Sequence, residues 1–173
     1  KPVTVPINQV GLTRLNTAEV KTISDGAAYA AKWRAGFGQD FMSRPDGYAG
    51  FVRAYGLKFT ELREMDLSLT YRALVDHQVD LIAGNSTDGL IARHDLVQLA
   101  DDRHYFPPYD AVPLIRRATL TLSPEIRIAL KSLGGLISVA EMRQLNYQVD
   151  GEHRVVKDLV REFLRKKGLK NGE

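Results

Sequence analysis

Apolar and polar positions follow two different periods along this chain, and the punctuation between them divides it into short helices and strands. Ser24 and Asp25 can cap a short helix running through Ala31, after which Trp33-Arg34-Ala35-Gly36-Phe37 reads as a strand. Asp46 precedes Tyr48, Phe51, Val52 and Tyr55, an i, i+3, i+4, i+7 stripe that Gly56 closes. Lys58 to Met65 reads as a strand, Leu69 to Val75 as a helix and Val79 to Gly84 as a short buried strand. Asn85-Ser86-Thr87-Asp88-Gly89 opens a helix carrying Leu90 and Ile91, and Leu96 to Leu99 and Ala111 to Ile115 read as further strands. Alternation of this kind predicts α/β layering, with helices covering a mostly parallel sheet.

From Ser123 onward the period is helical. Ser123-Pro124-Glu125 starts a helix with proline at its first position, and Gly134-Gly135 stops it. Ser138-Val139-Ala140-Glu141 fits a capping box. Val155, Val156, Leu159, Val160, Phe163 and Leu164 form one apolar face of a last helix that ends at Gly168. The expected linkers are Asp101 to Asp110 and Asn146 to Glu152. These C-terminal helices carry wide apolar faces with little sheet left to cover. They pack either on the α/β part or against a lobe that this chain does not contain.

Composition narrows the class. With 44% apolar and 26% charged residues, the 173-residue chain has a globular balance. Net charge is only +3, and its one basic cluster, Arg161, Arg165, Lys166, Lys167 and Lys170, lies on and after the polar face of the last helix. Cations favour helix C-termini, so a solvated face is expected there and nucleic acid is not an expected partner. The absence of cysteine removes disulfides, thiol nucleophiles and thiolate metal sites. No apolar run approaches the length of a membrane span. Lys1-Pro2-Val3-Thr4-Val5 does not read as a signal peptide, so a targeting segment, if the protein is exported, was removed or lay upstream.

Catalytic patterns are missing. His77, His94, His104 and His153 show no metal-ligand spacing and read as surface residues. No G-x-S-x-G, P-loop, dinucleotide-binding glycine pattern or H-E-x-x-H occurs, and nothing calls for a cofactor. An enzyme is therefore the weaker class. Three segments carry binding chemistry instead. Asn85-Ser86-Thr87-Asp88-Gly89 sets free N–H groups and hydroxyls at a helix start, where a carboxylate docks; a plain helix cap would have the same composition. Tyr105-Phe106-Pro107-Pro108-Tyr109-Asp110 holds Tyr109 stiffly, as a cation–π face or as an aromatic plug over a core edge. In Asp40-Phe41-Met42-Ser43-Arg44-Pro45-Asp46, Arg44 can clamp a carboxylate with Asp40 orienting it, or the two can form a surface pair of little worth.

Taken together, these segments resemble the substrate-binding proteins of ABC importers for glycine betaine, choline, carnitine and related osmoprotectants. The resemblance runs from about Thr22 to Gly168. It is carried by Phe41-Met42-Ser43-Arg44-Pro45-Asp46-Gly47-Tyr48, Ala54-Tyr55-Gly56-Leu57, Ser86-Thr87-Asp88-Gly89 and Asp101-Asp102-Arg103-His104-Tyr105-Phe106-Pro107-Pro108-Tyr109. It implies an α/β periplasmic-binding-protein-like fold of class II, whose chain crosses twice between two lobes that close on ligand and signal a membrane permease. That places the protein in the periplasm or at the extracytoplasmic face, docked on the permease or fused to it. It also implies Arg44 as carboxylate clamp, Asp40 as its neighbour, Tyr109 as one wall of a tyrosine cage, and Asn85, Thr87 and Asp88 beside the ligand.

Two departures qualify the resemblance. The position before Ser86 usually carries a cage tyrosine and here is Asn85, and Pro6-Ile7-Asn8-Gln9-Val10-Gly11 lacks the tyrosine that family members place in the first crossover. A ligand that needs an amide hydrogen bond, such as an ergothioneine-like betaine of a larger amino acid, is then expected over simple betaine. The second departure is length: family members carry a long segment before the matched region, most of the first lobe. On this reading residues 1–21 are a crossover and first-lobe remnant, 22–110 the second lobe, and 111–173 the return segment with C-terminal helices of the first lobe. Exposed apolar helix faces would then invite homodimerisation. The alternatives are a ligand-sensing effector domain of the same fold, or a truncated, non-binding fragment that serves assembly.

Overall fold

The structure, a computed structural model, describes Val5–Pro6, Gln9–Thr13 and residues 20–169. Ile7 and Asn8 of the crossover stretch and Lys170 of the basic cluster lie outside the described residues. The chain opens with β1 (Val5–Pro6) and β2 (Gln9–Thr13), then α1 (Ile23–Ala27). Thr22, rather than Ser24 or Asp25, caps α1. Its hydroxyl accepts the Asp25 N–H at 3.0 Å while Asp25 Oδ2 accepts the Thr22 N–H at 2.8 Å, a reciprocal box that pulls the Asp25 carboxyl below its ordinary range. The helix ends at Ala27, and Ala30–Lys32 is a separate 3₁₀ turn.

β3 (Arg34–Gly38) leads into α2 (Gln39–Ser43), a five-residue helix too short to show a period. α3 (Tyr48–Tyr55) follows, closed by Gly56 at φ 67°, a left-handed position that glycine adopts freely. Then come β4 (Glu61–Met65), α4 (Leu67–Val75), β5 (Leu81–Asn85), α5 (Gly89–Arg93), β6 (Val97–Leu99) and β7 (Asp110–Ala111). The helical third comprises α6 (Arg117–Leu122), α7 (Glu125–Ser132), α8 (Val139–Asp150) and α9 (Val156–Lys166).

Five strands form one sheet in the order β4-β3-β5-β2-β6. β3 runs parallel to β4 and β5, while β2 is antiparallel to both of its neighbours, so β4, β3, β5 and β6 all point one way. The expected mostly parallel sheet is what forms. Its fourth strand is β2, however, drawn from residues assigned on sequence to a crossover remnant. Their pattern, Gln-Val-Gly-Leu-Thr, has too few apolar positions to announce a buried strand.

Successive residues of a strand face opposite sides. Ala35, Phe37 and Leu81 join a core with Trp33, Phe51 and Leu99 on one side, while Ile82 joins Leu74, Val79 and Ile91 under α4 and α5 on the other. Gly36 faces that second core, where a Cβ would lie 3.0 Å from Val79 Cγ1. At the entry edge the Arg34 guanidinium grips Asp80 with two bonds of 2.9 Å, and the backbone N–H of Arg34 adds a third at 2.8 Å. This holds the Asp80 carboxyl below its ordinary range and ties β3 to β5.

The strand expected over Ala111–Ile115 is only two residues long, pairing antiparallel with β1. Pro113 supplies no N–H to a ladder, and Leu114 is 93% exposed. The linker expected at Asn146–Glu152 is instead the last turns of α8, which continues to Asp150 because it docks on α5. At that crossing a Cβ on Gly89 would come within 2.6 Å of Tyr147 Cα. Three of the four histidines, His77, His104 and His153, sit at left-handed turn positions and are exposed. From residue 111 to 169, Leu159 alone is fully buried, and Leu122 and Ile128 are 84% and 73% exposed.

Substituting Gly89→Ala forces α5 and α8 apart, and thermal unfolding should show destabilisation of about 1–3 kcal/mol. The second test is pH-dependent. Lys167 Nζ lies 2.5 Å from Glu141 Oε1, and Ser138 donates to the same carboxylate, holding its pKa down to about 2 against an ordinary 4.5. A lowered folded-state pKa contributes stability above the ordinary value and loses it as pH falls toward the folded one. Glu141→Gln should therefore lower the melting temperature at neutral pH, with the difference shrinking as pH falls from 4.5 toward 2.

Candidate ligand-binding site

In an open α/β sheet, ligands sit outside the carboxyl ends of the strands. The three adjacent parallel strands β4, β3 and β5 end side by side here, and a cleft of about 600 Å³ opens at those ends. β3 and α2 bring Gly38, Gln39, Asp40, Phe41 and Arg44 to its wall. The end of β4 and start of α4 bring Glu64 to Leu67, and the end of β5 brings Ala83, Gly84 and Asn85. The cleft therefore unites Arg44, Asp40 and Asn85, three of the residues singled out on sequence.

Arg44 owes its position to the proline after it, which disfavours helix in the preceding residue. Arg44 accordingly leaves α2 in an extended conformation at φ −72° and ψ 144°, and its N–H still closes the helix on the Asp40 carbonyl at 3.1 Å. The carboxylate that holds the guanidinium is Asp46, not Asp40. Asp46 accepts Nε–H at 2.9 Å and Nη2–H at 2.6 Å. Asp46 also accepts the Tyr109 hydroxyl at 2.7 Å, and that hydroxyl meets Arg44 Nη2 as well. The Tyr109 ring lies 5.2 Å from the guanidinium carbon, so one face of the ring is already given to a protein cation. Asp46 was missed on sequence, although its i+2 spacing across a proline turn is the signal that could have found it.

Tyr109 reaches this place because the strap before it is pinned to α3. Asp101 Oδ1 accepts the Tyr55 hydroxyl and the Tyr105 N–H at 3.0 Å, and Oδ2 accepts the Phe106 N–H at 2.9 Å. The Tyr55 oxygen in turn accepts the Arg103 N–H at 3.1 Å. Burial first, and the Asp101 bond second, push the Tyr55 pKa far up, so it stays a donor. Phe106 stacks on Phe51 at 5.7 Å and leans on Phe41 at 6.2 Å. Phe106 is a plug on the core, as one of the two readings of this segment has it, and Tyr109 stands beside the cleft arginine.

Thr87 and Asp88 do not line the cleft. Thr87 is buried, and its carbonyl accepts Asn146 Nδ2–H at 2.8 Å. Asp88 Oδ2 accepts the Tyr71 hydroxyl at 2.6 Å and the Asn85 N–H at 2.9 Å, turning the loop on itself. Arg143 of α8 donates to the Ser86 carbonyl through Nε at 2.9 Å and Nη2 at 2.5 Å. Sequence reading missed Tyr71 and Arg143, whose partners are brought together only by the tertiary fold. Among the described residues no three His, Asp or Glu side chains gather around a possible metal position. No helix among them is long and apolar enough to cross a membrane.

Comparison with known proteins gives a consistent answer. The family described as the substrate-binding domain of ABC-type glycine betaine transport systems matches residues 13–166. The carnitine transport binding protein OpuCC of Listeria monocytogenes is 36% identical over 168 residues, 95% of this chain and 54% of that protein. An ergothioneine transport permease/ergothioneine binding protein of Helicobacter pylori is 33% identical over 150 residues, 87% of this chain and 27% of that protein. A crystal structure described as a glycine betaine/carnitine/choline ABC transporter superimposes with a TM-score of 0.86 at 35% identity, covering 97% of this chain and 63% of that one. The chain thus spans about half the length, or less, of the curated relatives it matches.

The strap gives a direct test. Asp101→Asn replaces one acceptor oxygen by an N–H donor facing existing donors, and should cost about 1–3 kcal/mol in chemical denaturation. Trypsin should then cut after Arg103 faster than in the parent chain.

Proposed function

The chain belongs to the family of substrate-binding domains of ABC-type glycine betaine transport systems, and from that membership we propose that it is the solute-binding component of an importer for a betaine-like zwitterion. The observation that carries the reading is Arg44, held ready on the wall of a cleft at the carboxyl ends of three parallel strands. Asp46 occupies Nε and Nη2, so among the described residues the Nη1 hydrogens are the donors left for a ligand carboxylate. Asn85 and Asp40 face the same space, and Tyr109 keeps the arginine in place. Binding and release need no bond chemistry, which suits a wall of one cation, three carboxylates, two amides and apolar side chains.

The named solutes of the relatives, carnitine and ergothioneine, are both zwitterions with a quaternary nitrogen, and they define the class to test. The partner in this reading is an ABC permease, with the binding domain at the extracytoplasmic face. It is separate or joined to the permease, as the name of the Helicobacter protein combines the two. The exposed apolar residues of α6 to α9 favour contact of this third with further protein, a second copy included.

Isothermal titration of the chain with glycine betaine, choline, carnitine and ergothioneine tests the reading. A saturable heat with at least one of them is expected, and Arg44→Ala should weaken it roughly tenfold or more. A folded sample that binds none of the four, or an Arg44→Ala chain that binds as well as the parent, would overturn it. Light scattering on the same sample reads the mass and decides whether a second copy is present.

A further inference from the structure

We infer that Asp46 is the positioning residue of this site: its two-pronged grip on Arg44 sets the guanidinium to read the carboxylate of a betaine-like solute. The inference rests on the solute-binding reading and adds to it the residue on which carboxylate recognition depends. Residues 44–47 form a closed turn, in which the Arg44 carbonyl accepts the Gly47 N–H at 3.0 Å. Pro45 takes the second position, where its fixed φ favours a turn. Gly47 takes the fourth, where a Cβ would run into the Phe41 carbonyl oxygen. The turn brings its first and third side chains, Arg44 and Asp46, together.

Asp46 meets the guanidinium along one edge, taking Nε–H on Oδ1 at 2.9 Å and Nη2–H on Oδ2 at 2.6 Å. Two such bonds fix the plane of the fork as well as its place, which a single bond to a lysine could not do. Tyr109, 63 residues further along, locks the pair from the strap. Its one O–H goes to Asp46 Oδ2 at 2.7 Å, so a lone pair of the same oxygen faces Arg44 Nη2. The three side chains close a ring of donors and acceptors. Among the described residues that line the cleft, Arg44 represents this ring.

Asp46 has two opposing effects on binding. It offsets part of the Arg44 charge, and so weakens the pull on an incoming carboxylate. It also removes in advance the rotamer freedom that an arginine otherwise loses on gripping a ligand. Position outweighs charge here. Both side chains are partly exposed, so water screens the repulsion between Asp46 and a ligand carboxylate at another edge of the fork. The gain from a fixed fork needs no burial. For the same reason the pair contributes little to folding, and its loss should register in binding far more than in melting.

Calorimetric titration of the whole chain with glycine betaine, carnitine, ergothioneine and choline tests this, run as a double-mutant cycle. Asp46→Ala should weaken whichever carboxylated solutes bind by about tenfold, with a melting temperature close to the parent's. In an Arg44→Ala chain the same substitution should weaken them no further, because Asp46 acts through Arg44. The Arg44 Nε–H resonance, identified by its loss in Arg44→Ala, should broaden or exchange away in Asp46→Ala. Unchanged or tighter binding by Asp46→Ala means that the freed charge outweighs position, and the inference is overturned while the solute-binding reading stands. A further tenfold loss in the Arg44→Ala chain makes Asp46 a ligand contact or a fold residue in its own right, and overturns it too. So does an Arg44 resonance that stays sharp without Asp46. If the folded chain binds choline alone, Arg44 reads no carboxylate, and the inference falls while the solute-binding reading stands. If it binds none of the four, the solute-binding reading fails and this inference fails with it.

Discussion

Parallel pairing of β4, β3 and β5 is the constraint from which the site follows. Parallel strands need a crossover between them, and those crossovers place helices on both faces of the sheet. Both faces are then buried, which is why Leu81 and Ile82, adjacent in sequence, belong to two different cores. The same geometry brings the three carboxyl ends to one edge. Gly38, Met65 and Asn85 end their strands at that edge, and the residues after them have to leave the sheet there. Polar side chains gather at the cleft because the cores have no place for them.

Within that frame carboxylates fix the loops around the cleft. Asp101 gathers the Tyr55 hydroxyl and two backbone N–H groups of the strap, Asp46 gathers Arg44 and Tyr109, and Asp88 gathers Tyr71 and Asn85. Each is acceptor-only and surrounded by donors, the arrangement in which partly buried charges are best tolerated. The Asp46 pair also has a consequence for binding. In the binding role proposed for Arg44, it would neutralise the guanidinium in part while fixing its planar fork, making the attraction for a ligand carboxylate weaker but less costly in side-chain ordering.

Features that depend on neighbours in sequence were legible before the structure. The stripe Tyr48, Phe51, Val52, Tyr55 with Gly56, and the Ser138–Glu141 capping box, need only local chemistry, and both stand. Arg44, Asp40 and Asn85 were legible as site candidates because a proline turn and a strand end mark them. Features that depend on distant partners were not. β2 is stabilised by its pairing with β5 and β6, not by its own pattern. α8 runs through the expected linker because Arg143 and Asn146 find carbonyls of the 86–87 turn, and Tyr71 finds Asp88 across 17 residues of sequence. No periodicity announces such pairs.

α8 connects two regions that otherwise look separate. On one side its Arg143 and Asn146 hold the carbonyls of Ser86 and Thr87, directly beyond the cleft residue Asn85. On the other side Met142, Leu145 and Val149 line an apolar groove of about 350 Å³ shared with α9. Side chains of one helix cannot shift independently by much in a close-packed contact, and Gly89 leaves no slack where α5 meets Tyr147. α8 is the element the two regions share, touching the 86–87 turn with its polar side chains and the groove with its apolar ones.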